Sequence, residues 1–383
     1  MKLSNIFSND EWKQLKKIED LPQSERTIVF YAENLASINH FREIITELTE
    51  KRNLPICYVT SVKDDPILFS KNKKIKSFYI GDGTARTKFF LTLNTKILLM
   101  DMPDLNNFHI KRSKAYPVHY IYIFHSIFSV HSYLRKGAID NFDTIFCVGK
   151  HHVNEIQATE KTYDLKPKKL IEYGFGRIDT LLKNKTLEKN SNTSNRIIIA
   201  PSYGENNLLE VCGISLINLL LKANFKVLLR PHFKTLKDSK KLISKILHKF
   251  ENDPNFNFEK GIISNEKLND SLCMISDWSG ISFEYSLVFE HQVIFIDVPK
   301  KIQNPNFNDI SLEPIEISFR KKLGSVISPD NIDQIPEIIK NEKETDQNKK
   351  IKTLGSELIF NIGESAKIGA DFIQQIIMSK NHQ

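Results

Sequence analysis

Apolar residues along this chain fall into two repeating patterns. Short, unbroken apolar runs read as strands, and longer stretches with three-to-four-residue spacing read as helices. Thr27–Tyr31 is the first strand. Ile38–Lys51 follows with helical spacing through Ile38, Phe41, Ile44, Ile45 and Leu48. Pro55–Thr60, Phe78–Ile80, Ile97–Met100 and Tyr120–Phe124 continue the strand series, and Thr144–Val148 closes it. Strands this continuously apolar belong to a parallel sheet covered on both faces.

Between Lys183 and Arg196 the pattern lapses into Asn, Ser and Lys, which reads as a linker. A second series begins with a strand at Ile197–Ala200 and a helix around Leu208–Ala223. A strand at Lys226–Arg230, a helix at Ser239–Phe250, a strand at Leu272–Ser276, a helix at Ile281–Phe289 and a strand at Val293–Asp297 follow. The stretch Ile351–Met378 is again helical in spacing. The expectation is an α/β protein of GT-B architecture, two Rossmann-like domains facing a central cleft. The boundaries expected are 1–185 for an acceptor-side domain, 186–350 for a nucleotide-donor domain, and 351–383 for a C-terminal helix returning to the first.

Composition narrows the function. The 383 residues are 40% hydrophobic and 26% charged, enough apolar material for two buried cores. The net charge of +8 favours anionic partners, yet the basic residues are dispersed. Their densest group, Lys71 to Lys76, reads as a solvated loop. Zinc-finger spacing and RNA-binding aromatic signatures are absent, so nucleic acid is not an expected partner. Cys57, Cys147, Cys212 and Cys273 stand far apart and read as reduced core residues. The first twenty residues lack the apolar core of a signal peptide, and no run approaches a membrane span. A cytoplasmic location is expected. Trp12, Leu15 and Ile18 have the spacing of a small packing helix rather than a membrane anchor.

In open α/β sheets, ligands bind beyond the carboxyl ends of the strands, so candidate chemistry is sought there. Arg230-Pro231-His232 ends one strand. A guanidinium binds phosphate in a bidentate manner, and His232 could donate to a pyrophosphate oxygen. Ser276-Asp277-Trp278-Ser279-Gly280-Ile281-Ser282 joins a strand to a helix start, where small hydroxyl residues expose N–H groups to an anion; Glu284, one turn on, would accept from ribose hydroxyls. The same residue types serve plain helix capping. Ser202 and Gly204 in Ala200-Pro201-Ser202-Tyr203-Gly204 suit a tight turn close to a ligand. In the first half His125 follows an apolar strand and could take a proton from an acceptor hydroxyl; His131 and His119 are its rivals. Asp104, Lys111 and Arg112 are assigned to a phosphorylated acceptor. Asp101 and Asp104, separated by the stiff Pro103, lack the further ligands a metal needs, and neither a metal nor a cofactor is expected. The loops of phosphate-binding kinases, dinucleotide oxidoreductases and serine hydrolases are all missing.

Taken together, Phe124-His125-Ser126, Gly176-Arg177-Ile178-Asp179, Ala200–Gly204, Arg230–His232 and Ser276–Ser286 resemble the CDP-glycerol glycerophosphotransferase family of teichoic-acid primases and polymerases. The resemblance spans about Phe30 to Asp297. It implies a metal-independent GT-B enzyme, peripheral at the cytoplasmic face of the inner membrane. Such an enzyme moves a polyol phosphate from a CDP-activated donor to a hydroxyl of a cell-surface glycan or lipid-linked precursor and releases CMP. It implies His125 as base and His232 as the contact to the donor pyrophosphate. Two positions depart from the family: Phe233 stands where a second proline is common, and Ser126 where glycine is common. The donor therefore stays open between CDP-glycerol, CDP-ribitol and a nucleotide sugar, including the CMP-sialic acid type. A non-catalytic glycan- or phosphate-binding protein on the same fold is the alternative from another class.

Overall fold

The computed structural model describes residues 9–187, 195–261, 263–341, 351 and 353–379. Half of the expected linker, residues 188–194, lies outside the described residues. The chain divides into two units. The first comprises Met1–Thr180, Asn304–Ser311 and Leu358–Gln383, and the second Leu181–Gln303 and Leu312–Glu357.

The first unit is built on seven strands: β1 Ile28–Ala32, β2 Ile56–Thr60, β3 Ile75–Tyr79, β4 Ile97–Met100, β5 His119–Ile123, β6 Thr144–Cys147 and β7 Lys169–Glu172. They pair in the order β3-β2-β1-β4-β5-β6-β7, and every pairing is parallel. Every residue of β1, β2, β4 and β6 is buried, as strands covered on both faces must be. Ile28, Phe30, Ile97, Leu99, Ile121 and Phe146 share one core with the helix Ile38–Thr46. That helix continues as one wider turn, Glu47–Lys51. The N-terminal helix Asn9–Asp20 buries Leu15 and Ile18 and packs on β3 and on the helix Thr84–Thr92.

The second unit has six strands: β8 Arg196–Ile199, β9 Lys226–Leu229, β10 Phe256–Phe258, β11 Cys273–Ser276, β12 Val293–Ile296 and β13 Gly324–Ile327. Their order is β10-β9-β8-β11-β12-β13, again all parallel. In each sheet the chain runs outward from the first strand, then returns and proceeds to the other side. This reversal opens a crevice beyond the carboxyl ends of β1 and β4 in one unit and of β8 and β11 in the other.

Three strands differ from the pattern reading. β7, β10 and β13 were not expected, and Thr144–Val148 does not close its series. All three lie at sheet edges and carry half-exposed residues, so no unbroken apolar run marks them. The helical spacing of Ile351–Met378 is interrupted at 359–364 by a turn in which Asn361 and Gly363 take positive φ. The helix Ser365–Met378 then packs on Ile38–Thr46 in the first unit. Gly149 is required where this returning segment passes: a Cβ there would stand 1.8 Å from the Leu358 carbonyl oxygen. All four cysteines are buried thiols.

Candidate functional site

In the second unit, three of the motifs meet at the β8/β11 crevice. Asp277, at the end of β11, holds two of them together. Its carboxylate accepts from the backbone N–H of Ser202 at 2.6 Å, of Trp278 at 2.7 Å and of Leu208 at 2.9 Å. One buried carboxyl group thus satisfies both the loop after β8 and the loop after β11. Ser276 ties the same strand ends by donating to the Ala200 carbonyl at 2.7 Å. Ser282 donates to the Ser279 carbonyl at 2.6 Å and is fully buried. Asp277, Ser276 and Ser282 therefore shape the crevice from within. Gly280 precedes the helix Ile281–Phe289, which follows β11. Glu284 is buried in that helix's first turn, and Ser202 and Ser279 are buried as well. Gly204 takes φ +94°, a conformation that favours glycine, and the space above its Cα is open.

His232 caps the helix Phe233–Asp238, its Nδ1 accepting from the Lys234 N–H at 3.2 Å. Nε2 is then the protonated, donating nitrogen of a neutral ring. Burial, followed by Arg230, Lys301 and Lys234, lowers its pKa to about 4, so the ring stays neutral at pH 7. It lies against the Tyr203 ring, centroid to centroid 4.6 Å. Lys301 Nζ sits 3.0 Å over the same tyrosine ring and Lys234 Nζ 4.5 Å from it. Arg230 reaches the Gly261 carbonyl through Nε at 3.3 Å. Trp278 is held by Arg320, whose guanidinium lies 4.0 Å over the indole and pairs with Asp297 at 3.0 Å.

In the first unit, His125 lies just past the carboxyl end of β5. Its Nδ1 donates to the Asp101 carbonyl at 3.1 Å. A carbonyl only accepts, so Nδ1 carries the proton and Nε2 carries the lone pair, facing the Tyr133 hydroxyl at 3.3 Å. Burial lowers the pKa of His125, which keeps the ring neutral and its lone pair free of a proton at pH 7. The buried His40 lies 6.4 Å away, ring to ring. Asp101, at the end of β4, accepts from the Ser37 hydroxyl at 2.9 Å. Burial raises its pKa to about 7.

The other first-unit candidates are placed elsewhere. His119 opens β5 at its amino end, bonded to Thr144 at 2.8 Å. His131 is buried against Glu155 at 3.1 Å. Arg112 binds the Val118 and Asn141 carbonyls and pairs with Asp143 at 3.0 Å, which sets it at the amino edge of the sheet. Lys111 closes a turn onto the Asn106 carbonyl at 2.9 Å. Asp104 pairs with Arg135 at 2.7 Å. Of these three, Arg112 stands at the opposite end of the sheet from His125. Asp179 of the Gly176–Asp179 motif caps the helix Ser365–Met378, accepting from Gly363 N–H at 2.7 Å, Ser365 N–H at 3.1 Å and the Ser365 hydroxyl.

Sequence reading missed Lys301, Lys234 and the use of Tyr203 as their common platform. It also missed His151 and His152. These donate through Nε2 to the Ile127 and Phe128 carbonyls, each at 2.9 Å, and pin the loop that follows His125. The pair directly after β6 was the available signal. Among the described residues no cluster of three His, Cys, Asp or Glu could hold a metal. Nor is any helix among them long and apolar enough to cross a membrane.

No family model and no curated protein matches the sequence. Solved structures do match. A histidine-to-asparagine variant of the wall teichoic acid polymerase TagF soaked with CDPG aligns over 96% of this chain and 93% of that one, at TM-score 0.59 and 15% identity. The UDP-GlcNAc 2-epimerase of Neisseria meningitidis bound to UDP-GlcNAc covers 91% and 99%, at 0.60 and 14%. The Methanocaldococcus jannaschii UDP-GlcNAc 2-epimerase in complex with UDP-GlcNAc and UDP covers 92% and 99%, at 0.58 and 14%. The chain has the GT-B fold. At these identities the likeness is one of fold, and the chemistry of a GT-B chain is argued from its own side chains.

Proposed function

We propose that the protein is a transferase that moves a polyol phosphate from a CDP-activated donor to a hydroxyl of a cell-surface glycan or lipid-linked precursor. The observation that carries this reading is the meeting of Ala200–Gly204, Arg230–His232 and Ser276–Ser282 around one crevice with concentrated positive charge. In this reading the second unit holds the donor. Its pyrophosphate contacts the N–H groups at Ser279–Gly280, the Nε2–H of His232 and the cations beside it, with Glu284 toward the ribose. His125 Nε2 takes the proton of the acceptor hydroxyl. The hydroxyl oxygen forms a bond to the donor phosphorus, the P–O bond to CMP breaks, and CMP leaves with the electron pair. Charge builds on phosphate oxygens, so positioning and electrostatics supply most of the rate. The net charge of +8 suits these anionic substrates and a negatively charged inner-membrane face, where a lipid-linked acceptor would be met.

The UDP-GlcNAc-bound neighbours favour a second reading, a GT-B transferase acting on a nucleotide sugar, with an anomeric carbon as electrophile. Thermal-shift measurements with CDP-glycerol, CDP-ribitol, CMP-sialic acid and UDP-sugars, followed by CMP or UDP release assays, separate the two. Stabilisation and CMP release with a CDP-polyol are expected; stabilisation by UDP-sugars alone would sink the polyol-phosphate reading.

A further inference from the structure

The Tyr203 platform in the second unit gathers more positive charge than the protein neutralises. Lys301 and Lys234 both direct their ammonium groups at one tyrosine ring, with His232 stacked on it. Among the described residues neither lysine has a carboxylate within ion-pair distance. The acid that acts on Lys301 is Asp277. Its two oxygens are already occupied by the N–H groups of Ser202, Trp278 and Leu208. Gln303 donates to the Tyr203 hydroxyl at 3.0 Å, fixing the ring under the lysines. A partly buried ammonium resting on an aromatic face, opposed by the Asp277 carboxylate but in no ion pair, is a charge held ready for an anion.

We propose that Lys301 is a phosphate-binding residue of this crevice, held on the Tyr203 ring to meet the diphosphate of a nucleoside diphosphate. This rests on the donor-site reading above and adds a residue that none of the motifs contains. The Nζ of Lys301, the Nε2–H of His232 and the Lys234 ammonium supply donors around the same ring, and a diphosphate has enough oxygens for all of them. Tyr203 serves as the positioning residue. Its ring keeps the Lys301 stem from reaching for solvent and partly offsets the cost of gathering the cations.

The protonation state gives a signature that a structural lysine would lack. Burial lowers the pKa of Lys301 to about 8, opposed by Asp277 and assisted by Lys234. The groups that face it are Tyr203, His232, Lys234 and Asp277. His232 is neutral at pH 7 and above, so anion affinity should fall as pH rises through 8 while Lys301 loses its proton. A bound diphosphate shifts that break upward.

The test is calorimetric titration of the full chain with inorganic pyrophosphate, CDP and UDP from pH 6.5 to 9.5. Wild type should bind with a break near pH 8. Lys301→Gln and Lys301→Met should weaken pyrophosphate and nucleoside diphosphates alike by tenfold or more, and Lys301→Arg should keep the affinity and lose the break. Melting curves establish that each variant is folded; if neither neutral variant folds, the wild-type break and its loss in Lys301→Arg decide alone. Neutral variants that bind within twofold of wild type would overturn the role of Lys301 and leave the donor site standing. A wild type that binds neither pyrophosphate nor either nucleotide would overturn the donor-site reading and this inference together.

Discussion

His125 shows how much chemistry one backbone carbonyl can fix. The Asp101 carbonyl dictates which nitrogen holds the proton, and burial keeps the ring unprotonated near neutrality. His125→Ala should lower turnover by ~10²-fold or more once a donor is identified. The wild-type rate should decline in acid, as His125 gains a proton at a pH below 6.5, and steady-state assays should show that limb vanish in the variant. Asp101 supplies a stability test of opposite character. Its folded pKa is about 7 against an ordinary 3.8, so between those values the folded state binds the extra proton and stability falls as pH rises. The span corresponds to at most roughly 4 kcal/mol. Asp101→Asn should gain stability relative to wild type between pH 5 and pH 8 in denaturant melts; a constant difference would show that the carboxyl ionises freely. At this scale the sequence was legible where a side chain follows a strand, as His125 and His232 do. It was not legible for Arg112, which a reversal of the chain carries to the amino edge of the sheet. Lys301 sits in a Pro-Lys-Lys stretch that reads as solvated surface until the path of the loop is known.

Between elements, two carboxylates do the joining. Asp277 binds the loop after β8 to the loop after β11, and Asp179 binds the helix Gly176–Leu187 to the start of Ser365–Met378. Removing either leaves buried N–H groups unpaired. Asp277→Ala should destabilise the protein by about 3 kcal/mol and weaken nucleotide binding, while Asp179→Ala should cost about 2 kcal/mol and leave nucleotide binding unchanged. Chemical denaturation and the calorimetric titration together check that split. Equal losses of affinity in both variants would show that the carboxylates do not act separately. Asp277 could be read from the sequence only as part of a helix-start motif. Its true partners lie 75 and 69 residues away, at Ser202 and Leu208, and no local spacing encodes them. The central strands were readable because burial on both faces demands an apolar residue at every position. β7, β10 and β13 escaped because an edge strand has no such demand.

For the molecule as a whole, the two parallel sheets follow from the alternation of apolar runs and helical spacings. The same parallel order recurs in each, with a reversal at β1/β4 and at β8/β11. That reversal explains why the legible motifs cluster where they do: Ala200–Gly204 and Ser276–Ser282 follow the two strands that flank it. The GT-B neighbours share this arrangement at 14 to 15% identity, so the layout survives nearly complete replacement of side chains. In the donor-site reading proposed above, a particular donor is specified by a few positions, Lys301 among them.

The helix Ser365–Met378 belongs to the first unit, yet it is made after every strand of the second. Phe372 and Ile373 complete a core whose other members, Ile44, Phe146 and Tyr173, are synthesised hundreds of residues earlier. The strands of the second sheet, by contrast, all lie between Arg196 and Ile327. Vectorial synthesis ordinarily favours the N-terminal part of a chain. Here it reverses: the second unit can finish its sheet while the first still waits for its cover. Until residue 373 emerges, a nascent chain displays an apolar face on the half made first. A pause in translation upstream of Leu358 would prolong that exposure and hand the chain to chaperones or proteases.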